Sequence, residues 1–299
     1  MTRNALLIGL AGLASAVMFA TLLGGPGVAW VVAYAAPLPL QLVGLMLGTS
    51  ASYGAGGVAL VLSLLLGGGT IWLVYALLIV GPSLLLVRQS LLWRAVDLGE
   101  REGYPIGFVL AWLCVWGAGL TLLAYAALPD GFIGVTDAVR AAVDEGALAQ
   151  PDMGGVDIAD LVRLAMIMTP ASWLIMIVLN AILAEALAVR TGQAQRPGPA
   201  FATLVLPTWL GLGLGAAAVL SLLSGDAAIL GYALMTLFAT AYLLLGLAVV
   251  HFAVRNHPRR PLILSVLYAF LFLFAWPLAA LFVLIGLVES VFQLRRRYA

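Results

Sequence analysis

Nine stretches of this chain, near residues 5–23, 28–48, 51–67, 70–92, 107–128, 161–187, 201–223, 227–250 and 262–288, run almost without charge for roughly the length of a membrane crossing. The hydrocarbon layer of a bilayer is about 30 Å thick and a helix rises about 1.5 Å per residue, so about 20 apolar residues in a row suffice to cross it. No water is available there to backbone amides and carbonyls, and a helix satisfies them internally. The expected architecture is therefore an all-α, polytopic transmembrane helix bundle of eight to nine spans. Hydrophobic residues fill 64% of the 299 positions and charged residues only 9%. That polar complement is too small to coat a water-soluble globule of this size. The lipid bilayer is the first partner the chain requires.

Turn chemistry separates the stretches: Gly24-Gly25-Pro26-Gly27, Gly67-Gly68-Gly69, Pro197-Gly198-Pro199 and Ser224-Gly225-Asp226. The whole chain, 1–299, reads as one integral membrane domain with an N-terminal half over 1–128, an acidic loop over 129–160 and a C-terminal half over 161–299. The first stretch, Ala5 to Leu23, exceeds the roughly 7 to 15 residues of a cleavable signal core and is expected to stay as a span.

Arginines set the direction of threading, because basic loops stay on the cytoplasmic side. Arg3 places the N-terminus inside a bacterial inner membrane, and counting spans then puts Arg88, Arg94 and Arg101, Arg190 and Arg196, and Arg255, Arg259 and Arg260 on that same side. The loop from Pro129 to Asp160 falls outside and holds seven acidic residues against Arg140. A single ninth span conflicts with this pattern, since it carries Arg295, Arg296 and Arg297 outward. A cytoplasmic C-terminus is expected. It requires either a re-entrant hairpin broken at Pro277 or the loss of 51–67 as a span. Within the acidic loop, Val135, Val139, Ala142 and Val143 share one helical face, with Thr136 placed as an N-cap. A short amphipathic surface helix is expected there, as a lid or as an interfacial connector.

Chemistry-bearing motifs are sparse. The sequence has no H-E-x-x-H, no G-x-S-x-G and no G-x-x-x-x-G-K-[ST], so the chain is expected not to be an enzyme, and any ATP hydrolysis would fall to a separate energising ATPase. One cysteine, Cys114, and two histidines six residues apart, His251 and His257, make no metal-ligand face on one helix, and no metal or cofactor is expected. A net charge of +1 offers no excess to neutralise phosphates, which argues against nucleic acid.

Polar groups inside spans are the better pointers, since each costs roughly 2.5 to 3.5 kcal/mol in hydrocarbon without a partner or a wet cavity. Gln41, Asn180 and Glu185 are the candidates, with Arg88 and Gln89 at a span end. Pro37 and Pro39 precede Gln41 and interrupt the helix beside it, which frees carbonyls either for a ligand or for an ordinary kink. Pro82, Pro170, Pro207 and Pro277 are single kinks. Trp72 offers an aromatic face for a planar ligand, or an interface anchor. Glu185, Arg88, Arg190 and His251 are equally readable as an inner-face ion-pair cluster.

The stretch LLGLAVVHFAVRNHPRRPLILSVLYAFLFLFAWPLAALFVLIGLVESVFQLRRR, Leu244 to Arg297, resembles the C-terminal part of the YybS-like family of predicted membrane proteins. The shared elements are Gly246 to Phe252, the basic loop, Gly286-Leu287 with Glu289, and the closing arginines; PLPLQLVGLMLG and GPSLLLVRQ resemble its N-terminal half more loosely. That family is in turn distantly similar in fold to the substrate-capturing membrane subunits of energy-coupling-factor vitamin transporters. This similarity implies a partner subunit docking on small residues of the first helix, at Ala16 and Ala20. The function expected is binding or transport of a small molecule, with partner subunits supplying energy. The alternative is a membrane scaffold or assembly factor that presents Arg255, Arg259 and Arg260 to a protein.

Overall fold

The structure, a computed structural model, describes residues 3–24, 28–95, 101–128, 130–145, 157–196, 198 and 201–297. Among them, seven helices are long and apolar enough to cross a membrane, and two shorter apolar helices accompany them. The chain forms two compact units, Met1–Leu113 with Ile175–Val205, and Cys114–Leu174 with Leu206–Ala299. Each unit draws on segments from both sides of the acidic loop.

The first unit contains α1 (Arg3–Ala20), α2 (Val28–Tyr34), α3 (Pro37–Leu47), α4 (Thr49–Tyr75), a π-helical turn (Ala76–Val80) and α5 (Gly81–Ser90). The start of α6 (Ile106–Ala127) and the end of α8 (Ile158–Arg190) complete it. The stretch expected over 28–48 is broken at Ala35–Ala36, because Pro37 and Pro39 supply no N–H and sit where none is needed, in the first turn of a new helix.

Helical structure then runs for 42 residues, Thr49–Ser90. It is not one rod. Gly68 has φ 72° and ψ −172°, a left-handed conformation open to glycine. In a straight helix residues 52 and 87 would stand about 50 Å apart, yet a Cβ at Gly44 would lie 2.8 Å from Ser52 Cβ and 2.6 Å from Val87 Cγ1. Gly56 likewise faces Val80 and Leu84. The segment folds back at Gly67–Gly69, so 51–67 and 70–92 are two separate legs, as their hydropathy implies.

At one end of this unit a two-stranded antiparallel hairpin, β1 (Trp93–Ala95) and β2 (Arg101–Gly103), pairs Trp93 with Gly103 and Arg94 with Glu102. The hairpin is a short connection in an otherwise helical bundle. Gln195 straps the loop after α8 onto the end of α3, with its N–H donating to the Leu45 carbonyl at 3.3 Å and its Nε2 to the Met46 carbonyl at 3.1 Å.

The second unit holds the rest of α6 and α8, with α7 (Gly131–Asp144), α9 (Leu210–Ser221), α10 (Asp226–Ala253), α11 (Arg260–Leu273), α12 (Ala275–Phe292) and the terminal turn α13 (Leu294–Arg297). The surface helix expected in the acidic loop is α7, with Asp137, Arg140, Asp144 and Glu145 exposed. Thr136 is not its N-cap. It lies inside the helix and donates to the Phe132 carbonyl at 2.9 Å, while the Phe132 N–H at the helix start is taken by Asp226 Oδ2 at 3.2 Å.

Two further expectations change. The span over 201–223 shrinks to α9, because the chain stays non-helical over 204–207 ahead of it, as expected before a proline that withdraws an N–H and disfavours helix behind it. The stretch 262–288 is divided at Phe274, not at Pro277, which sits harmlessly in the first turn of α12. α12 then runs antiparallel to α10: Gly246 faces the Phe282 backbone, and Gly286 faces Tyr242. Arg295 therefore stands at the other end of this helix pair from Arg255–Arg260. A re-entrant return that brings both arginine groups to one face is not what these helices form.

Candidate functional site

Pro37 and Pro39 leave the carbonyls at the end of α2 without their usual helical donors. The Leu38 N–H turns to Ala35 at 3.0 Å, and Asn180 of α8 supplies a replacement, donating from Nδ2 to the Tyr34 carbonyl and to Met176 of its own helix, each at 2.8 Å. Asn180 is thus a clasp at the helix break, with its donors spent inside the protein.

One turn into α3, Gln41 is fully buried. Its Nε2 donates to the Ile177 carbonyl of α8 across 3.4 Å, which turns the amide so that Oε1 is the end left over. Oε1 is buried and accepts no hydrogen bond. A buried acceptor without a partner carries the full desolvation penalty, about 1 to 3 kcal/mol. Such groups are rare in folded proteins.

A second orphan lies at the same height. α3 and α5 each run antiparallel to the first leg of α4, hence parallel to each other, and Gly44 meets Val87. One turn back from that contact are Leu40–Gln41 on α3 and Ser83 on α5. Ser83 is fully buried and its Oγ has no hydrogen-bond partner. The π-helical turn Ala76–Val80 and Pro82 immediately precede it; π-turns concentrate at functional sites.

Satisfied polar groups surround this layer. Ser15 Oγ donates to the Ala36 carbonyl at 2.6 Å. With its hydrogen so used, it accepts from the Tyr75 hydroxyl, also at 2.6 Å. Phe19 packs on the Tyr75 ring with centroids 4.6 Å apart, and Ser52 donates to the Leu40 carbonyl at 3.1 Å.

The remaining expected residues have other surroundings. Pro37 is fully buried and Pro39 half-buried at the start of α3. Trp72 is half-buried one turn ahead of Tyr75. Glu185 lies two turns along α8 from Ile177, against Gly198 and under the electrostatic influence of Arg196; Glu185 Oε1 and Arg196 Nε are both buried without hydrogen-bond partners. Burial pulls the Arg196 guanidinium below its usual range while the Glu185 carboxylate pushes it back.

Ala16 is 2% exposed, so it is spent inside the unit and offers no surface to a partner; Ala20 is half-buried. Arg255, Arg259 and Arg260 are exposed in the second unit. His251 meets the Tyr268 hydroxyl at 2.9 Å. Sequence reasoning missed Ser83, the Ser15–Tyr75 pair and the buried Glu289–Arg295 ion pair at 2.9 Å. Single serines and a tyrosine in apolar stretches carry no distinguishing pattern, although Glu289 standing alone in the last span was a signal.

No curated protein and no solved structure matches the chain. Residues 135–290 match the family described as "Predicted membrane protein (DUF2232)". That match covers more than half of the chain and agrees with a bundle of apolar helices embedded in lipid, so the chain belongs to this family of membrane proteins.

Proposed function

We propose that this chain binds a small uncharged molecule inside the membrane and passes it between the two sides, in the manner of a transporter's substrate-binding subunit. The observation that carries the reading is Gln41: a fully buried amide whose oxygen accepts nothing. An unsatisfied carbonyl in an apolar bundle is explained by a guest that donates to it. Ser83 Oγ, at the same depth on the neighbouring helix, adds a group that can both donate and accept. The described side chains named in this layer carry no charge, which favours a neutral hydroxyl- or amide-bearing guest over an anion. The broken α2–α3 stretch, clasped by Asn180, resembles the discontinuous helices that line transporter sites.

In this reading the chain is a binding protein and not an enzyme, and other membrane subunits or an ATPase supply energy. It sits in a bacterial inner membrane with its N-terminus cytoplasmic. The α10–α12 geometry favours a C-terminus on the opposite side from the Arg255–Arg260 loop. The distant resemblance in fold to energy-coupling-factor substrate subunits that the sequence suggests is in keeping with this role.

The test is recovery of the guest. Full-length protein purified in mild detergent is extracted with organic solvent and the extract profiled by mass spectrometry, beside Gln41→Leu and Ser83→Ala. A small polar molecule enriched with wild type and depleted in both variants is expected. Equal recovery from Gln41→Leu, with its thermal unfolding intact, refutes the assignment.

A further inference from the structure

α11 carries no buried residue among its 14, and at about 1.5 Å per residue it is about 21 Å long, short of a hydrocarbon layer of about 30 Å. It follows the turn that leaves α10 and ends at Phe274, where α12 begins. Because Phe282 stands opposite Gly246 and Gly286 opposite Tyr242, the start of α12 is level with the last turn of α10. Tyr268, midway along α11, meets His251 of that same turn at 2.9 Å. A helix held at its middle and returned at its end to the height where it began lies along the membrane boundary.

Positive charge stands at its head. Arg255, His257, Arg259 and Arg260 are all exposed, and the first turn of α11 has no acidic residue. The Arg255 guanidinium sits 3.6 Å over the Phe252 ring, which fixes it against the end of α10. The described carboxylates of this unit are placed elsewhere: in the α7 segment, in the first turns of α8 and α10, and at Glu289, which pairs with Arg295. Directly beside the arginines, Leu262, Val266, Phe270 and Leu273 are between 47% and 71% exposed.

We infer that residues 255–274 form a docking site for an anionic phospholipid, whose phosphate is held by Arg255, Arg259 and Arg260 and whose acyl chains lie along α11. Guanidinium groups bind phosphate oxygens in pairs. A lipid satisfies both halves of the surface, charge and oil, whereas an acidic protein segment satisfies only the charge. The site belongs to the second unit and does not depend on the small-molecule reading of the first.

Native mass spectrometry of the full chain in neutral detergent tests this, with dioleoylphosphatidylglycerol titrated against dioleoylphosphatidylcholine. Each basic residue near an anionic lipid surface is worth roughly fivefold in affinity, so three together confer a preference on the order of a hundredfold. Wild type should retain phosphatidylglycerol adducts selectively, Arg255→Gln/Arg259→Gln/Arg260→Gln should lose that selectivity, and the corresponding triple lysine variant should keep part of it. Should the triple glutamine variant not fold, Arg259→Gln/Arg260→Gln gives the same reading. Equal retention of the two lipids by wild type overturns the inference, as does undiminished selectivity in the glutamine variants. Release of a co-purifying protein by the substitutions, with lipid selectivity unchanged, assigns the arginines to a protein partner and also overturns it.

Discussion

Replacing Gly246 by Ala tests the α10–α12 crossing, the contact that decides where the last helix goes. A Cβ there would stand 2.8 Å from the Phe282 carbonyl carbon and closer still to its oxygen, where ordinary contact begins at 3.4 Å. The obstruction is backbone, so no rotamer change relieves it, and because the oxygen is nearer than the carbon the helices must part by well over about 0.6 Å or tilt. Overpacking of this kind costs roughly 1 to 3 kcal/mol. Against it stands the gain of up to about 1 kcal/mol from putting Ala for Gly in a helix. Gly215 in α9 measures that gain alone, because a Cβ there meets nothing within 4 Å. Thermal unfolding followed by tryptophan fluorescence in detergent should therefore rank Gly215→Ala at or above wild type and Gly246→Ala below it, by a few degrees per kcal/mol. Gly286→Ala, opposed by Tyr242, should behave like Gly246→Ala. The double variant should fall short of their sum, because the first substitution opens the gap the second needs. Gly246→Ala as stable as Gly215→Ala would refute the close antiparallel crossing.

The Glu289–Arg295 pair is buried, with side chains 7% and 10% exposed; Glu289→Gln or Arg295→Met alone should cost about 3 to 5 kcal/mol, and the two together should recover much of it in the same assay. Ser15→Ala should destabilise more than Tyr75→Phe, since it strips a donor from the Ala36 carbonyl and an acceptor from Tyr75 at once, whereas the phenylalanine removes one bond worth about 0.5 to 1.5 kcal/mol. The Ala159 N–H and the Arg140 guanidinium hold the exposed Asp157 carboxyl below its usual value of 3.8. Its contribution is thus present above that value and lost as pH falls through the lower folded one. Asp157→Asn should flatten this acid-side dependence of the unfolding temperature.

Much of the fold was legible because hydrocarbon allows so few backbone arrangements. Glycine and proline punctuation located the reversal at Gly67–Gly69 and the break before Pro37, since those residues act locally. The ends of α9 and α11 were not legible. Hydropathy reports that a segment is apolar, and an extended entry over 204–207 or a helix lying along the boundary is as apolar as a crossing. Of the candidate site, Gln41 was visible as an amide in oil. That Asn180 serves the Tyr34 carbonyl while Gln41 Oε1 goes without depends on which helix lies opposite, and Ser83 became visible only once the second leg of α4 had folded back.

That reversal at Gly68 bears on biogenesis. The two legs it joins carry no charge between them at the bend, and the bend is too short to be recognised on its own as the cytoplasmic or the outer loop. A bend with nothing to anchor it in water gives neither leg a direction of its own, so the two are expected to enter the bilayer together as one hairpin.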